Sequence, residues 1–138
     1  MSVLNIIGGG FSGTAFAIHA MERTNAPTTI RIFEPASKLG YGAAYTPDHP
    51  TFRLNVPSSV MKMGWSTHPE LSDWVDSGCA GELDFRARLP DGRKFYKRRL
   101  FGNYLNQTYE KTKAEFGGKV EHIRQHAENF HSVETTVL

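Results

Sequence analysis

Val3-Leu4-Asn5-Ile6-Ile7-Gly8-Gly9-Gly10-Phe11-Ser12-Gly13 decides how this chain folds. Val3 to Ile7 is a short, nearly continuous apolar run, the pattern of a strand buried on both faces of a parallel sheet. A glycine-rich turn follows at once. Thr14 to Arg23 then has helical character, with Ala15, Ile18, Ala20 and Met21 spaced to share one apolar stripe. Thr24-Asn25-Ala26-Pro27 ends that helix, because the residue before a proline is pushed to an extended conformation. Thr28 to Phe33 is a second strand-like run, rich in β-branched and aromatic residues, and it stops at Glu34-Pro35. The first 34 residues therefore read as strand, glycine turn, helix, strand.

The turn carries the spacing Gly8-x-Gly10-x-x-Gly13. Alone, that spacing is a weak signal. Here it sits between a strand and a helix, with an acidic residue, Glu34, closing the second strand 21 residues beyond Gly13. This is the layout of a Rossmann-like βαβ dinucleotide-binding fold of the α/β class. Each part has a physical reason. Gly8 permits the tight turn out of the strand. A side chain at Gly10 would keep the backbone away from a pyrophosphate, and Gly13 lets the helix lie close to the sheet. The helix N-terminus offers free N–H groups and positive partial charge to phosphates. Glu34 can accept hydrogen bonds from ribose hydroxyls, and its charge disfavours a ribose 2′-phosphate. A lysine-bearing phosphate loop is excluded, since no lysine lies near Gly13. The turn by itself leaves FAD and NAD both open.

Residues 35 to about 119 form a long, loop-rich insertion after the second strand, punctuated by glycine and proline. It opens with a second glycine-rich turn, Leu39-Gly40-Tyr41-Gly42-Ala43-Ala44-Tyr45. Small residues there suit backbone approach to a bulky ligand such as the ribityl and flavin part of FAD. A short helix is expected over 69–76 and a longer one over 98–116, ended by Gly117-Gly118. Strands are expected over 120–124 and 129–138. Trp65 and Trp74 read as core. Arg93, Lys94, Lys97, Arg98 and Arg99 put five cations in seven residues, read as a solvated face with Arg98 packed on the fold.

Composition bounds the rest. The 138 residues suit one domain, and a net charge of +2 gives no support for nucleic-acid binding. A single cysteine, Cys79, rules out an internal disulfide and has no basic neighbour to activate it. No metal-ligand spacing appears, and no apolar run approaches the roughly 18 residues of a membrane span. Cytoplasm is the default expectation.

Several stretches together resemble a known group. They are Ile6-Ile7-Gly8-Gly9-Gly10-Phe11-Ser12-Gly13, Glu34-Pro35, Gly40-Tyr41-Gly42-Ala43-Ala44-Tyr45, Leu54-Asn55-Val56-Pro57, Met61, Asp73-Trp74 and Arg98-Arg99-Leu100-Phe101-Gly102-Asn103-Tyr104-Leu105. The chain resembles the FAD-NAD(P)-binding domain family of bacterial flavoprotein oxidoreductases, also called the NAD-binding-9 group. The resemblance implies an FAD-dependent oxidoreductase, monooxygenase-like, with NAD(P)H as reductant. It implies that Gly8, Gly10, Ser12 and Gly13 hold the pyrophosphate and Glu34 the adenosine ribose, and Phe11 in the same turn is a further cofactor-binding candidate. It places Tyr45, Asn55 and Met61 toward the flavin, and the backbone of Ala127 at the adenine. It names no catalytic acid or base. Family members continue into an Ala-Thr-Gly-type segment and further domains. The expectation is thus a single domain over 1–138 truncated at its C-terminus, its missing part supplied by a further domain or a partner chain. The alternatives are a non-catalytic module binding FAD or ADP, and an NAD-binding dehydrogenase fragment.

Overall fold

A computed structural model describes residues 2–24, 27–46, 49, 51–81 and 84–129. Its frame is the strand–turn–helix–strand unit of the sequence. β1 (Ser2–Ile7) leads into α1 (Phe11–Arg23), and β2 (Thr28–Phe33) returns parallel to β1. β3 (Lys119–Ile123) pairs parallel with β2, giving the sheet order β1-β2-β3. This is a Rossmann-like α/β arrangement.

The register sorts the strand residues by face. Leu4, Ile30 and Val120 lie in one row, and Ile6, Ile32 and His122 in another. These rows meet α1, whose buried residues Thr14, Ala17, Ile18 and Met21 recur at helical spacing. The buried stripe thus runs through Thr14 and Ala17, while Ala15 and Ala20 only pack at its margin. The opposite sheet face carries Asn5, Arg31 and Glu121 in register, then Ile7, Phe33 and Ile123. Arg31 and Glu121 form an ion pair at 2.8 Å there, and Ile7 is 56% exposed.

α1 starts at Phe11, three residues before the point where the apolar periodicity begins. The glycine turn therefore feeds straight into the helix. The other expected elements appear within one or two residues, as α3 (Leu71–Asp76), α4 (Arg98–Glu115) and β3. The expected final strand begins at Asn129, which instead has a left-handed backbone at φ 56°; residues 130–138 lie outside the described residues.

Between β2 and β3 the described residues make α2 (Gly42–Tyr45), a 3-10 turn (Ser58–Val60) and α3 ahead of α4, and among them there is no long ladder. It is nevertheless a wall of the core. Leu39, Leu54, Trp65, Leu71, Trp74 and Tyr96 are buried with the sheet and α1. α4 packs along α1 and buries Leu100, Phe101, Tyr104, Leu105 and Tyr109. Both tryptophans are core, as expected. Without a ladder, loop N–H groups need other acceptors. Carboxylates supply them: Glu70 accepts from Met63 and Gly64 N–H, and Glu22 from Ser66 and Thr67 N–H. Arg53 joins Asp84 through two bonds of 2.8 and 3.0 Å and donates to the Phe95 carbonyl.

Inside the core, Trp65 Nε1 donates to Tyr104 Oη at 2.6 Å, and Tyr104 Oη donates to the Pro69 carbonyl at 2.8 Å. One hydroxyl thus ties two points of the insertion to α4. Tyr104→Phe leaves the buried Trp65 N–H unpaired and removes the donor from the part-buried Pro69 carbonyl. The expected cost is about 2 kcal/mol, seen as a lower urea midpoint with an unchanged slope.

Candidate functional site

The site begins where β1 ends. Gly8 has φ +90°, a conformation that side-chain-bearing residues rarely adopt, and its N–H bonds the Phe33 carbonyl at 2.9 Å. A Cβ at Gly13 would overlap the Gly8 carbonyl oxygen. The first turn of α1 is thus pressed onto the strand end, as the third glycine of the spacing requires. Thr14 N–H makes the first helical bond, to the Gly10 carbonyl, and the Thr14 hydroxyl bonds the Gly9 carbonyl. No side chain caps this helix, and no acidic residue sits in its first turn. A helix start left in this state is suited to an anion.

Gly10 is different from Gly13. A Cβ there would meet only Gly42, at 3.4 Å from its Cα. The protein itself has room for a methyl group at Gly10, so packing does not account for the glycine. A ligand approaching the backbone would.

Glu34 leaves the end of β2 and turns its carboxylate back onto the turn. Gly9 N–H donates to one oxygen and Ala36 N–H to the other, each at 2.9 Å. The Ala36 N–H, with Gly9 adding to it against partial burial, holds this carboxyl below its ordinary value near 4.5. The group is therefore ionised at neutral pH. Beyond it, a cavity of about 400 Å³ opens at the strand ends, lined by Asn5, Ile7, Phe33, His126 and Ala127 among others. The His122 ring contacts the Glu34 carbonyl at 2.9 Å and holds β3 to this edge.

The second glycine turn is anchored rather than free. Gly40 N–H donates to the Gly9 carbonyl at 2.8 Å, and a Cβ at Gly42 would lie 3.0 Å from Gly10 Cα. α4 holds it from behind. Asn106 Nδ2 donates to the Leu39 carbonyl, Tyr41 Oη donates to Asn103 Oδ1 at 2.7 Å, and Gly102 gives way to the Tyr41 ring. Gly40 and Gly42 thus make contacts within the protein, whereas Ala43 and Ala44 are exposed. Tyr45, at the end of α2, stacks edge-on against Phe101 at 4.7 Å and reaches Phe11 at 6.2 Å.

The structure therefore brings Gly8, Gly10, Phe11, Ser12, Gly13, Glu34 and Tyr45 to one region, with Ala127 on the adjoining cavity. Asn55 is exposed and Met61 is half-buried against the core. Among the described residues, no hydrogen bond or ring contact ties either to the glycine turn. Sequence reasoning passed over Gly9. It is buried, and a Cβ there would strike Leu39 and lie 2.7 Å from Glu34 Cβ. Its signal was the unbroken run Gly8-Gly9-Gly10.

A family model described as FAD-NAD(P)-binding matches residues 5–138. The chain belongs to the FAD-NAD(P)-binding family. It is a dinucleotide-binding module of the flavoprotein type, which accords with the uncapped helix start and the acidic end of β2. No curated protein matches the chain. Among the described residues of this family member, no helix is long and apolar enough to cross a membrane, and no group of three or more His, Cys, Asp or Glu side chains could hold a metal ion.

Two substitutions separate the roles of the glycines. Gly13→Ala forces α1 off the strand end and is expected to lower the melting temperature by about 7–10 °C, on the order of 2–3 kcal/mol for a domain this size. Gly10→Ala is expected to melt within about 2 °C of the wild type, both read by circular dichroism. Glu34→Gln leaves one of two N–H groups facing an amide nitrogen, a loss of about 1–2 kcal/mol at pH 7. A depressed carboxyl adds stability above its unfolded value and loses it as pH falls through the folded one. The difference between wild type and Glu34→Gln should therefore begin to narrow below about pH 4.5 and close once the pH has fallen through the lower folded value, read from denaturation curves.

Proposed function

We propose that this chain is the FAD-binding part of an NAD(P)H-using flavoprotein oxidoreductase. The observation that carries the proposal is the pairing of an uncapped α1 start with the Glu34 carboxylate across the same turn. A pyrophosphate would meet the N–H groups of Phe11, Ser12 and Gly13 at the positive end of the helix. Glu34 has one N–H on each oxygen, which leaves lone pairs for ribose hydroxyls. Gly8 and Gly10 keep the turn tight and bare. The cavity bearing Ile7, Phe33 and Ala127 offers apolar walls and main-chain polar groups, as an adenine requires.

FAD in preference to NAD is supported by the long insertion, which sets Tyr45 beside Phe11 on the far side of the pyrophosphate position. Asn55 and Met61 are assigned toward the flavin by the family resemblance. When bound, the flavin would accept a hydride from the reduced nicotinamide, chemistry that belongs to the cofactor. The residues of this chain bind and orient it, and none is assigned as an acid or base. NAD(P)H oxidation and a monooxygenase-like outcome belong to this same proposal.

Calorimetry on the purified chain tests it. FAD and ADP should both bind, with FAD tighter than NAD. Gly10→Ala should weaken FAD and ADP at least tenfold, about 1.4 kcal/mol, in a protein that melts like the wild type. Binding of NAD with no response to FAD would overturn the flavin assignment. Bound FAD without NAD(P)H oxidation would leave a binding module in place of an enzyme.

A further inference from the structure

A second cavity, of about 490 Å³, lies between the segment after β2 and the first turn of α4. Ser37, Lys38, Tyr41, Thr46, Arg99 and Asn103 line it. We infer that this cavity is a second anion site, one that takes a phosphate monoester through Lys38 and Arg99.

The charge distribution supports this. No acidic side chain lines the cavity among the described residues. Glu34, four residues before Lys38, has both oxygens engaged by Gly9 and Ala36 N–H, and Asp48, two residues beyond Thr46, lies outside the described residues. The other cations around the start of α4 have local work. Arg93 pairs with Asp91, Lys94 with Asp76, and Arg98 donates to the Arg53 carbonyl. Arg99 and Lys38 have no such acceptor among the described residues. Arg99 also sits in the first turn of an 18-residue helix, where a cation is repelled by the helix dipole and adds nothing to helix stability. A local rule is broken at Arg99 with no gain visible inside the fold, which points to a partner outside it.

The donor set fits a phosphate. The acceptor oxygen of Asn103 is taken by the Tyr41 hydroxyl at 2.7 Å, which leaves the amide N–H₂ end as the donor. Ser37 and Thr46 add hydroxyls. An arginine fork beside a lysine point charge matches a group with two negative charges and three free oxygens. A single carboxylate would leave one cation unmatched. The cavity is also far larger than a bare ion, so it has space for an organic body on the phosphate. The cavity borders the glycine-turn cradle at Ala36, whose N–H holds Glu34, but it faces away through Tyr41 and Asn103, and neither Gly10 nor α1 lines it.

Calorimetry with glycerol 3-phosphate, acetate and ADP on the full chain distinguishes the two sites. Glycerol 3-phosphate should bind, and acetate at the same concentration should not. The double variant Lys38→Met/Arg99→Met changes two exposed side chains. It should weaken glycerol 3-phosphate at least tenfold and shift ADP less than twofold. Gly10→Ala should do the reverse. Saturating ADP should leave glycerol 3-phosphate binding in place. Failure of glycerol 3-phosphate to bind, unchanged binding in the double variant, equal binding of acetate, or displacement by ADP would each overturn the inference. Loss of ADP binding in the wild type, with glycerol 3-phosphate still lost in the double variant, would overturn the dinucleotide proposal alone.

Discussion

The start of α1 lies against the carbonyl of Gly8, and the rest of the site is arranged around that approach. A helix can sit this close to a strand end only if the residue at the contact has no side chain, which is the condition Gly13 meets. The approach fixes where the helix N-terminus points. It also puts Gly9 N–H within reach of the Glu34 carboxylate. The acidic end of β2 and the positive end of α1 are thereby held on one turn, although 21 residues separate Gly13 from Glu34 in the chain. Were the helix displaced by the width of a methyl group, both its dipole and its N–H groups would be aimed elsewhere.

The insertion keeps that turn in place. Gly40 and Gly42 bring the second turn against Gly9 and Gly10, and α4 holds the second turn through Gly102, Asn103 and Asn106. A glycine inside a helix costs about 1 kcal/mol relative to alanine. At Gly102 the cost is offset by letting the Tyr41 ring lie on the helix backbone. The loops themselves hang on carboxylates, Glu22, Glu34, Glu70 and Asp84, which accept from main-chain N–H groups or from Arg53. A chain segment without strand partners still has to satisfy its polar groups, and buried or half-buried acids do so here.

The parts that were legible in the sequence share a property: their signal is local. β1, β2, α1 and α4 announce themselves by period and by the residues at their ends. The cradle was legible because its spacing, its flanking strand and Glu34 all point to the same geometry. What stayed hidden depends on long-range pairing. The contacts that Gly40 and Gly42 make with α4 and Gly10 carry no local signal in Leu39–Tyr45. No periodicity says that Glu70 serves Met63, or that Tyr104 links Trp65 to Pro69. Lys38 and Arg99, 61 residues apart, meet on one cavity for the same reason. Asn55 and Met61 show the opposite limit, for a family motif can mark them while the described contacts leave them apart from the turn.

Glu34 presents a conflict that the geometry resolves. A residue expected to hold a ribose is already bonded to Gly9 and Ala36, and such bonds ordinarily compete with a ligand. Each carboxylate oxygen, however, has two acceptor positions, and each accepts one N–H here. The internal bonds orient the carboxylate and keep it ionised without exhausting it. They also spare a ligand the cost of ordering a long side chain, which for glutamate is up to about 2 kcal/mol. The tie to Gly9 couples the Glu34 carboxylate to the glycine turn, so the acidic end of β2 and the start of α1 are positioned by one hydrogen bond.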